Sequence, residues 1–314
     1  MIIDLQTAAN LISEGHVVAF PTETVYGLGA DAKNIMAIKK TFELKGRPSD
    51  NPLIVHVCSV NQAEEITQNL PDDFYKLAEN FWPGPLSIIV EKSQSVPDAV
   101  TAGLNTVAVR MPDHPLALKL IQLTGPLTAP SANKSGKPSP TKPDHLVQDY
   151  GDSLPILDGG NTRIGLESTI LNLTSEQPEI LRPGAITARE IENVLNRKVQ
   201  DFRESQTDIS KPAKSPGVKY THYKPEAEVN WFDEFPLIPK NDTIYVVHSK
   251  NNWEKSDQIF AYEEDFNEMA KDLYDIFRMA DHLNYRRVLI EQLPEPEQHS
   301  LLTALNNRIS KAVG

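Results

Sequence analysis

The stretch KGRPSDNP, Lys45 to Pro52, sets two cations, a hydroxyl and an amide within seven residues: Lys45, Arg47, Ser49 and Asn51. Cations of two kinds beside small polar side chains can hold and orient an oxygen-rich anion, Arg with a fixed fork of donors and Lys with a mobile point charge. The stretch sits between an amphipathic run, NIMAIKKTFEL, with Ile35, Ile38 and Phe42 on one stripe, and the short apolar run LIVHV. A helix–strand connection there needs only a glycine stop, which Gly46 provides, and some polar filler. Gly, Pro, Ser, Asp and Asn also serve ordinary solvated turns, so the reading depends on what else converges on this corner.

A second set of residues repeats one design, a strand that ends in polar residues beside a proline. PTETVYG follows VVAF, RMPDHP follows TVAV, TAPSANKSGKPSPT follows PL, and ESTI and LRPG follow the loop GGNTRIGL. Open α/β sheets place ligands at strand ends. Thr22, Thr24, Arg110, Thr128, Ser131, Ser139, Ser168 and Arg182 are therefore expected to gather at one sheet edge, met there by Lys45 and Arg47. Several arginines among hydroxyls suit an anion such as a nucleotide polyphosphate.

Other nucleotide and nucleophile signatures fail on context. GLGADA, Gly27–Ala32, spells the dinucleotide fingerprint, but PTETVY parts it from its strand and no helix opens on it, so it reads as a glycine turn. No Walker loop and no G-x-S-x-G elbow occurs. The eight histidines show no metal-ligand spacing, so no protein-built metal site is expected.

These residues need elements to position them. HVVAF, LIVHV, LSIIV, TVAVRM, PLTAPS, LPILD, STILNL and EILRP read as strands; TAANLISEG, NIMAIKKTFEL, DDFYKLAENF, HPLALKLIQL and TAREIENVL read as helices. Some strands follow each other too closely for helical crossovers, which predicts an α/β fold with a mixed, open sheet over residues 1–205. RESQTDISKPAKSPG is polar and aperiodic, a linker. Its continuation SPGVKYTHYKP is not linker-like, because Tyr220, His222, Tyr223 and two lysines are wasted on a free tether. Within a linker and lid segment over 206–227, we expect this piece, Ser215 to Pro225, to dock on the first domain as a lid. VNWF, TIYVVHS, EDFNEMAKDLYDIFRMADHL, RVLIEQL and LTALNNRISKAV then predict a smaller α/β, Rossmann-like domain over 228–314, itself without a motif.

With 39% apolar and 24% charged residues the 314-residue chain is globular and long enough for two cores. Its net charge is −12, which argues against tight nucleic-acid binding but leaves room for a local cationic pocket. No apolar run approaches membrane-spanning length and the first residues lack a basic run, so a cytoplasmic protein with no membrane association is expected. The single cysteine, Cys58, reads as a small core residue.

KGRPSDN resembles the K-x-R…S-x-N signature of the YrdC-like family, and PTETVYGLG, NPLIVHV, WPGPLS, VAVRMPDHP, TAPSANKSGKPSPT, ESTI and LRPGAI resemble its further blocks in order. SPGVKYTHYKP is similar to the linker of the long, two-domain members. The resemblance implies an L-threonylcarbamoyladenylate synthase, a nucleotidyltransferase. It would join L-threonine, bicarbonate or CO2 and ATP into threonylcarbamoyl-AMP and pyrophosphate. A downstream tRNA threonylcarbamoyl-transferase complex would consume the product in modifying adenosine 37. It implies Thr24, His56, Arg110, Ala129 and Ser168 at threonine, and Thr106, Ser131, Ser139, Arg182 and Tyr223 along ATP. Lys45 and Arg47 are assigned to the triphosphate as catalytic cations, Ser49 and Asn51 to the phosphates or ribose, and Mg2+ to the phosphate oxygens and water. The alternative is an α/β nucleotide- or RNA-binding module acting directly on tRNA.

Overall fold

A computed structural model of the protein describes residues 1–201, 223–234, 239–250, 256–295 and 301–313. Most of the lid stretch, including Lys219, Tyr220 and His222, lies outside the described residues; Tyr223–Pro225 are within them.

The first unit is built on a mixed sheet of ten strands. In chain order they are β1 (Ile2–Ile3), β2 (Val18–Phe20), β3 (Gly27–Asp31), β4 (Ile54–His56), β5 (Leu86–Glu91), β6 (Thr106–Arg110), β7 (Leu127–Thr128), β8 (Ile156–Leu157), β9 (Thr169–Asn172) and β10 (Glu179–Arg182). Their spatial order is β1-β8-β2-β3-β7-β4-β6-β5-β9-β10. β4 runs parallel to β6 and β5 parallel to β9, whereas β2–β3, β4–β7 and β5–β6 are antiparallel, the mixture that the short connections require.

GLGADA is not a turn: Gly27–Asp31 is strand β3, paired with both β2 and β7. Its glycines are there for clearance. A Cβ on Gly29 would stand 2.9 Å from the Phe20 ring, and one on Gly27 would stand 3.1 Å from the Ala129 methyl. Gly27 and Gly29 leave one face of the strand bare for Phe20 while Leu28 and Ala30 are buried on the other, and two glycines in five residues make the stretch read as a turn.

Side-chain alternation divides the central strands between two faces. Val55 of β4, Ile88 of β5, and Val107 and Val109 of β6 join a large core. The helices of this unit are α1 (Leu5–Ser13), α2 (Ile35–Lys45), α3 (Val60–Ile66), α4 (Asp72–Phe81), α5 (Asp98–Thr101), α6 (Pro115–Thr124), α7 (Pro143–Tyr150) and α8 (Ala188–Leu195). Of these, α2 and α4 pack into that core with Ile38, Phe42, Phe74 and Leu77. The intervening Ile54, Ile89 and Ala108, with Ile170, form a small separate cluster on the other face. His56 and Arg110 keep that second phase, two residues beyond Ile54 and Ala108, and they are register partners.

The second unit has four parallel strands, β11 (Glu228–Phe232), β12 (Thr243–Val247), β13 (Ile259–Ala261) and β14 (Arg287–Glu291), in the order β11-β14-β12-β13. β13 is the strand that the sequence pattern did not reveal. Helix α9 (Phe266–His282) is capped by Asp265 and buries Met269, Leu273, Tyr274 and Phe277. The final helix, α10 (Leu302–Val313), buries Leu302, Leu305 and Ile309. The core of this unit takes in Val25 and Leu166 of the first one, so the two units share apolar packing.

Candidate active site

A cleft with an empty volume of about 740 Å³ opens on the second face of the large sheet. It is a face site more than an edge site. Ile54, His56 and Arg110 form its floor, and Gly27, Ala129 and Ser131 stand beside them because β3, β4 and β7 are neighbours. Thr24 and Tyr26 enter from the loop after β2, Lys45 and Arg47 from the end of α2, and Glu167, Ser168, Arg182 and Tyr223 close the far side.

Lys45 is the last residue of α2, and Gly46 at φ +60° turns the chain away behind it. The Lys45 ammonium is buried and donates to the carbonyls of Ser131 (2.5 Å) and Asn133 (2.6 Å). Burial, with Arg47 next to it, holds its pKa well below the ordinary lysine range. The sequence suggests a mobile point charge here; the fold makes it a pin between α2 and the 131–133 loop. The Arg47 guanidinium donates to the Asn51 and Pro52 carbonyls (3.3 Å each) and so shapes its own corner while lining the cleft.

His56 is 3% exposed, and its Nδ1 has no hydrogen-bond partner among the described residues. Burial, reinforced by Arg110, lowers its pKa to about 3, so the ring is neutral at physiological pH. Arg110 donates to the Gly84 carbonyl (3.2 Å) and pairs with Glu23 (2.7 Å). A guanidinium carries five donors, so these contacts do not exhaust it. Glu23 is the residue that reading PTETVYG for its hydroxyls overlooks. Thr24 is fully buried, its hydroxyl 2.8 Å from that of Thr22.

Arg182 and Ser168 form a unit. Arg182 donates through Nε to the Ser168 carbonyl (3.0 Å) and through Nη2 to its hydroxyl (3.1 Å). Ser87 lies 2.8 Å from that hydroxyl on the other side. The buried Glu167 accepts from Ser139 (2.6 Å), from Tyr274 and from Arg308 (2.8 Å). Burial opposes its ionisation, but Arg308 and Arg182 outweigh that and hold its pKa at about 2. Tyr223 is 5% exposed at φ +70°, stacked on Tyr274 with ring centroids 5.4 Å apart and with the Arg308 guanidinium 5.3 Å above its ring.

Five expected site residues lie outside the lining, one of them Thr128, whose buried hydroxyl donates to the Ala30 carbonyl (3.2 Å). Ser139 sits just behind Glu167, which occupies its hydroxyl. Asn51 is fully buried in the Lys45–Pro52 corner, both amide atoms without a partner among the described residues. Ser49 is exposed on the same corner. Thr106 lies roughly 13 Å along β6 from Arg110; extending the β4–β6 register by two residues sets it beside Pro52. Among the lining residues Lys45, Arg47, Arg110 and Arg182 face one carboxylate, Glu167, so the cleft attracts anions although the whole chain carries −12. Among the described residues no group of three or more His, Cys, Asp or Glu side chains is arranged to hold a metal ion.

Fold and cleft together describe a two-domain α/β protein with a cation-lined cleft on the open face of a mixed sheet. The family profile described as "Telomere recombination", named for the Sua5, YciO and YrdC proteins, matches residues 10–184, and that of the "Threonylcarbamoyl-AMP synthase, C-terminal domain" matches 186–314. The chain belongs to this family, in its two-domain form. It is 42% identical to the threonylcarbamoyl-AMP synthases of Pyrococcus abyssi (99% of this chain, 94% of the relative) and Bacillus subtilis (98% and 92%). The structure of P. abyssi Sua5 complexed with L-threonine superposes with a TM-score of 0.88 at 39% identity, over 100% of this chain and 98% of that one. E. coli YciO, 18% identical with a TM-score of 0.54 over 61% of this chain, shares the fold of the first unit.

Proposed function

We propose that the chain makes L-threonylcarbamoyl-AMP and pyrophosphate from L-threonine, bicarbonate or CO2 and ATP, as a nucleotidyltransferase supplying tRNA threonylcarbamoylation. The supporting observation is one continuous cleft, lined by Lys45, Arg47, Arg110 and Arg182, in a chain alike end to end to threonylcarbamoyl-AMP synthases. In this reading the threonine amine first takes up CO2 as a carbamate, whose oxygen then attacks the α-phosphorus of ATP. Both reactants are anions, so positioning and charge neutralisation carry the catalysis.

We place threonine at the Thr24, His56, Arg110, Ala129 and Ser168 end, with Ile54 and Ala129 beside its methyl group. The orphaned His56 Nδ1 and the unused Arg110 donors are polar groups that a substrate can satisfy. We place ATP from the Arg47–Asn51 corner and Thr106 past Ser131 toward Ser139, Arg182 and Tyr223; the unpartnered Asn51 amide supports that choice. Mg2+ would arrive on the ATP phosphates, held by phosphate oxygens and water. Glu167, the carboxylate of the lining, is already committed to Arg308, Tyr274 and Ser139.

The test is mass spectrometry of the product made from ATP, L-threonine and bicarbonate, with pyrophosphate release followed in parallel. Release should require both co-substrates. Serine should support it weakly, because one methyl group discriminates by only about 1–3 kcal/mol. Parity between serine and threonine, or release without any amino acid, overturns the threonine assignment.

A further inference from the structure

Arg308 lies on α10 of the second unit, yet it is fully buried against the wall of the first unit's cleft. Its Nε donates to Glu167 (2.8 Å) and its Nη2 to the carbonyl of Pro183 (3.0 Å). Those two acceptors are the chain neighbours of Ser168 and Arg182, the pair that meets in the cleft. One guanidinium thus spans the two segments that carry that pair. The segments are in hard contact: a Cβ on Gly184 would stand 2.3 Å from the Thr169 nitrogen and 2.8 Å from the Glu167 carbonyl oxygen. Close by, α9 presses its backbone on Gly165, where a Cβ would meet the Lys271 Cα at 2.3 Å. Tyr274 of the same helix donates to Glu167.

We propose that Arg308 is a positioning residue for the synthase reaction: by bridging Glu167 and Pro183 it sets the Arg182–Ser168 pair, so that the second unit forms a working part of the cleft. Arg308 reaches no substrate in this account. It acts through the 167–169 and 182–184 segments and through the Tyr223 ring beneath it. The requirement for an arginine is geometric: Nε and Nη2 are held apart in one plane and so set a fixed spacing between a carboxylate and a carbonyl on different segments, whereas the three donors of an ammonium radiate from one atom and set none. Glu167 then serves as the anchor of this bridge.

The inference rests on the ATP-side placement of Arg182, and its test reads ATP binding separately from turnover. In full-length protein, Arg308→Met strands the Glu167 carboxylate, so the informative chain is the double variant Glu167→Gln/Arg308→Met, which removes the ion pair and lets the amide keep Ser139 and Tyr274. We expect this variant to melt within a few degrees of wild type. It should nonetheless bind ATP at least tenfold more weakly by calorimetry and lose at least tenfold in kcat/KM for ATP. A stabilising role alone predicts that affinity and turnover return with the melting temperature, and that result overturns the proposal. If the double variant fails to fold, Arg308→Lys decides: it keeps the charge on Glu167 and should still lose at least threefold in ATP affinity, whereas wild-type affinity refutes the bridge. Wild-type chain that binds ATP but makes no threonylcarbamoyl-AMP refutes the assigned reaction and leaves the Arg308 comparison readable.

Discussion

Arg47 and Lys45 stand next to each other in the signature and do different work in the fold. Arg47 shapes the corner and lines the cleft, so Arg47→Ala should lower kcat/KM for ATP on the order of 10²-fold, if it supplies about 3 kcal/mol to charge developing on the phosphates. The melting temperature should change little. Lys45→Ala should lose activity and stability together, because the carbonyls of Ser131 and Asn133 lose their buried donor, and leaving a buried acceptor unpaired costs roughly 1–3 kcal/mol. Steady-state kinetics beside thermal melts separate the two; a Lys45→Ala chain as stable as wild type contradicts the pin. His56 gives a pH signature. Its folded pKa, about 3, lies below the ordinary 6.5, so the unfolded chain binds the extra proton first. This contribution is complete above pH 6.5 and fades as pH falls toward 3. Between pH 7 and 5 wild type should lose about 2 kcal/mol more than His56→Gln in urea titrations. Equal losses would mean the ring is solvated.

At the scale of elements, α9 does more than close its own domain. Arg278 donates to the Pro138 carbonyl (2.6 Å) and pairs with the buried Asp149 of the first unit (2.8 Å). Asp275, one turn earlier, binds Lys142 (2.5 Å) and His145 (2.9 Å). Both contacts fall on the stretch from Pro138 to Asp149, which follows the Ser131–Lys137 loop of the cleft. Arg278→Ala leaves Asp149 buried without its ion-pair partner, a change that typically costs about 3–5 kcal/mol. Calorimetry should show a lower melting temperature and loosened coupling between the units, seen as broadening or splitting of the transition. An unchanged, single transition would assign the coupling to the apolar contacts alone.

For the whole molecule, the cores of the first unit beneath α2, α4 and the sheet draw on its own residues. A chain ending near Glu204 should therefore fold, with the far-ultraviolet spectrum of a mixed α/β unit. It would nonetheless expose Val25 and Leu166, strip Glu167 of Arg308 and Tyr274, and lose Tyr223 from the cleft. ATP binding and product yield should both fall steeply against full length. A truncated chain with full affinity and yield would reduce the second unit and the lid stretch to attachments.

His56 came from the family resemblance alone, but the local code of the chain was enough to predict two α/β units, the helix stop at Gly46, the strands that alternate or run apolar, and the residues Lys45, Arg47, Arg110, Ser131, Ser168 and Arg182 that line one cleft. Each carries its signal within a few neighbours, as a period, a cap or a functional side chain beside a proline. What the tertiary structure decided depends on distance in sequence. β3 is a strand because β2 and β7 pair with it and Phe20 and Ala129 crowd its glycines, which no window around GLGADA records. The site lies on a sheet face because β4 and β6 pair in parallel, and strand pairing is not written in either strand. Lys45 became a pin because the Ser131 carbonyl folds back onto it from 86 residues away. The role of the second unit was invisible because Arg308 looks like any arginine on an amphipathic helix until folding buries it on Glu167, 141 residues earlier. A buried charge is tolerated only where its partner is already in place, and only the folded chain brings the two together.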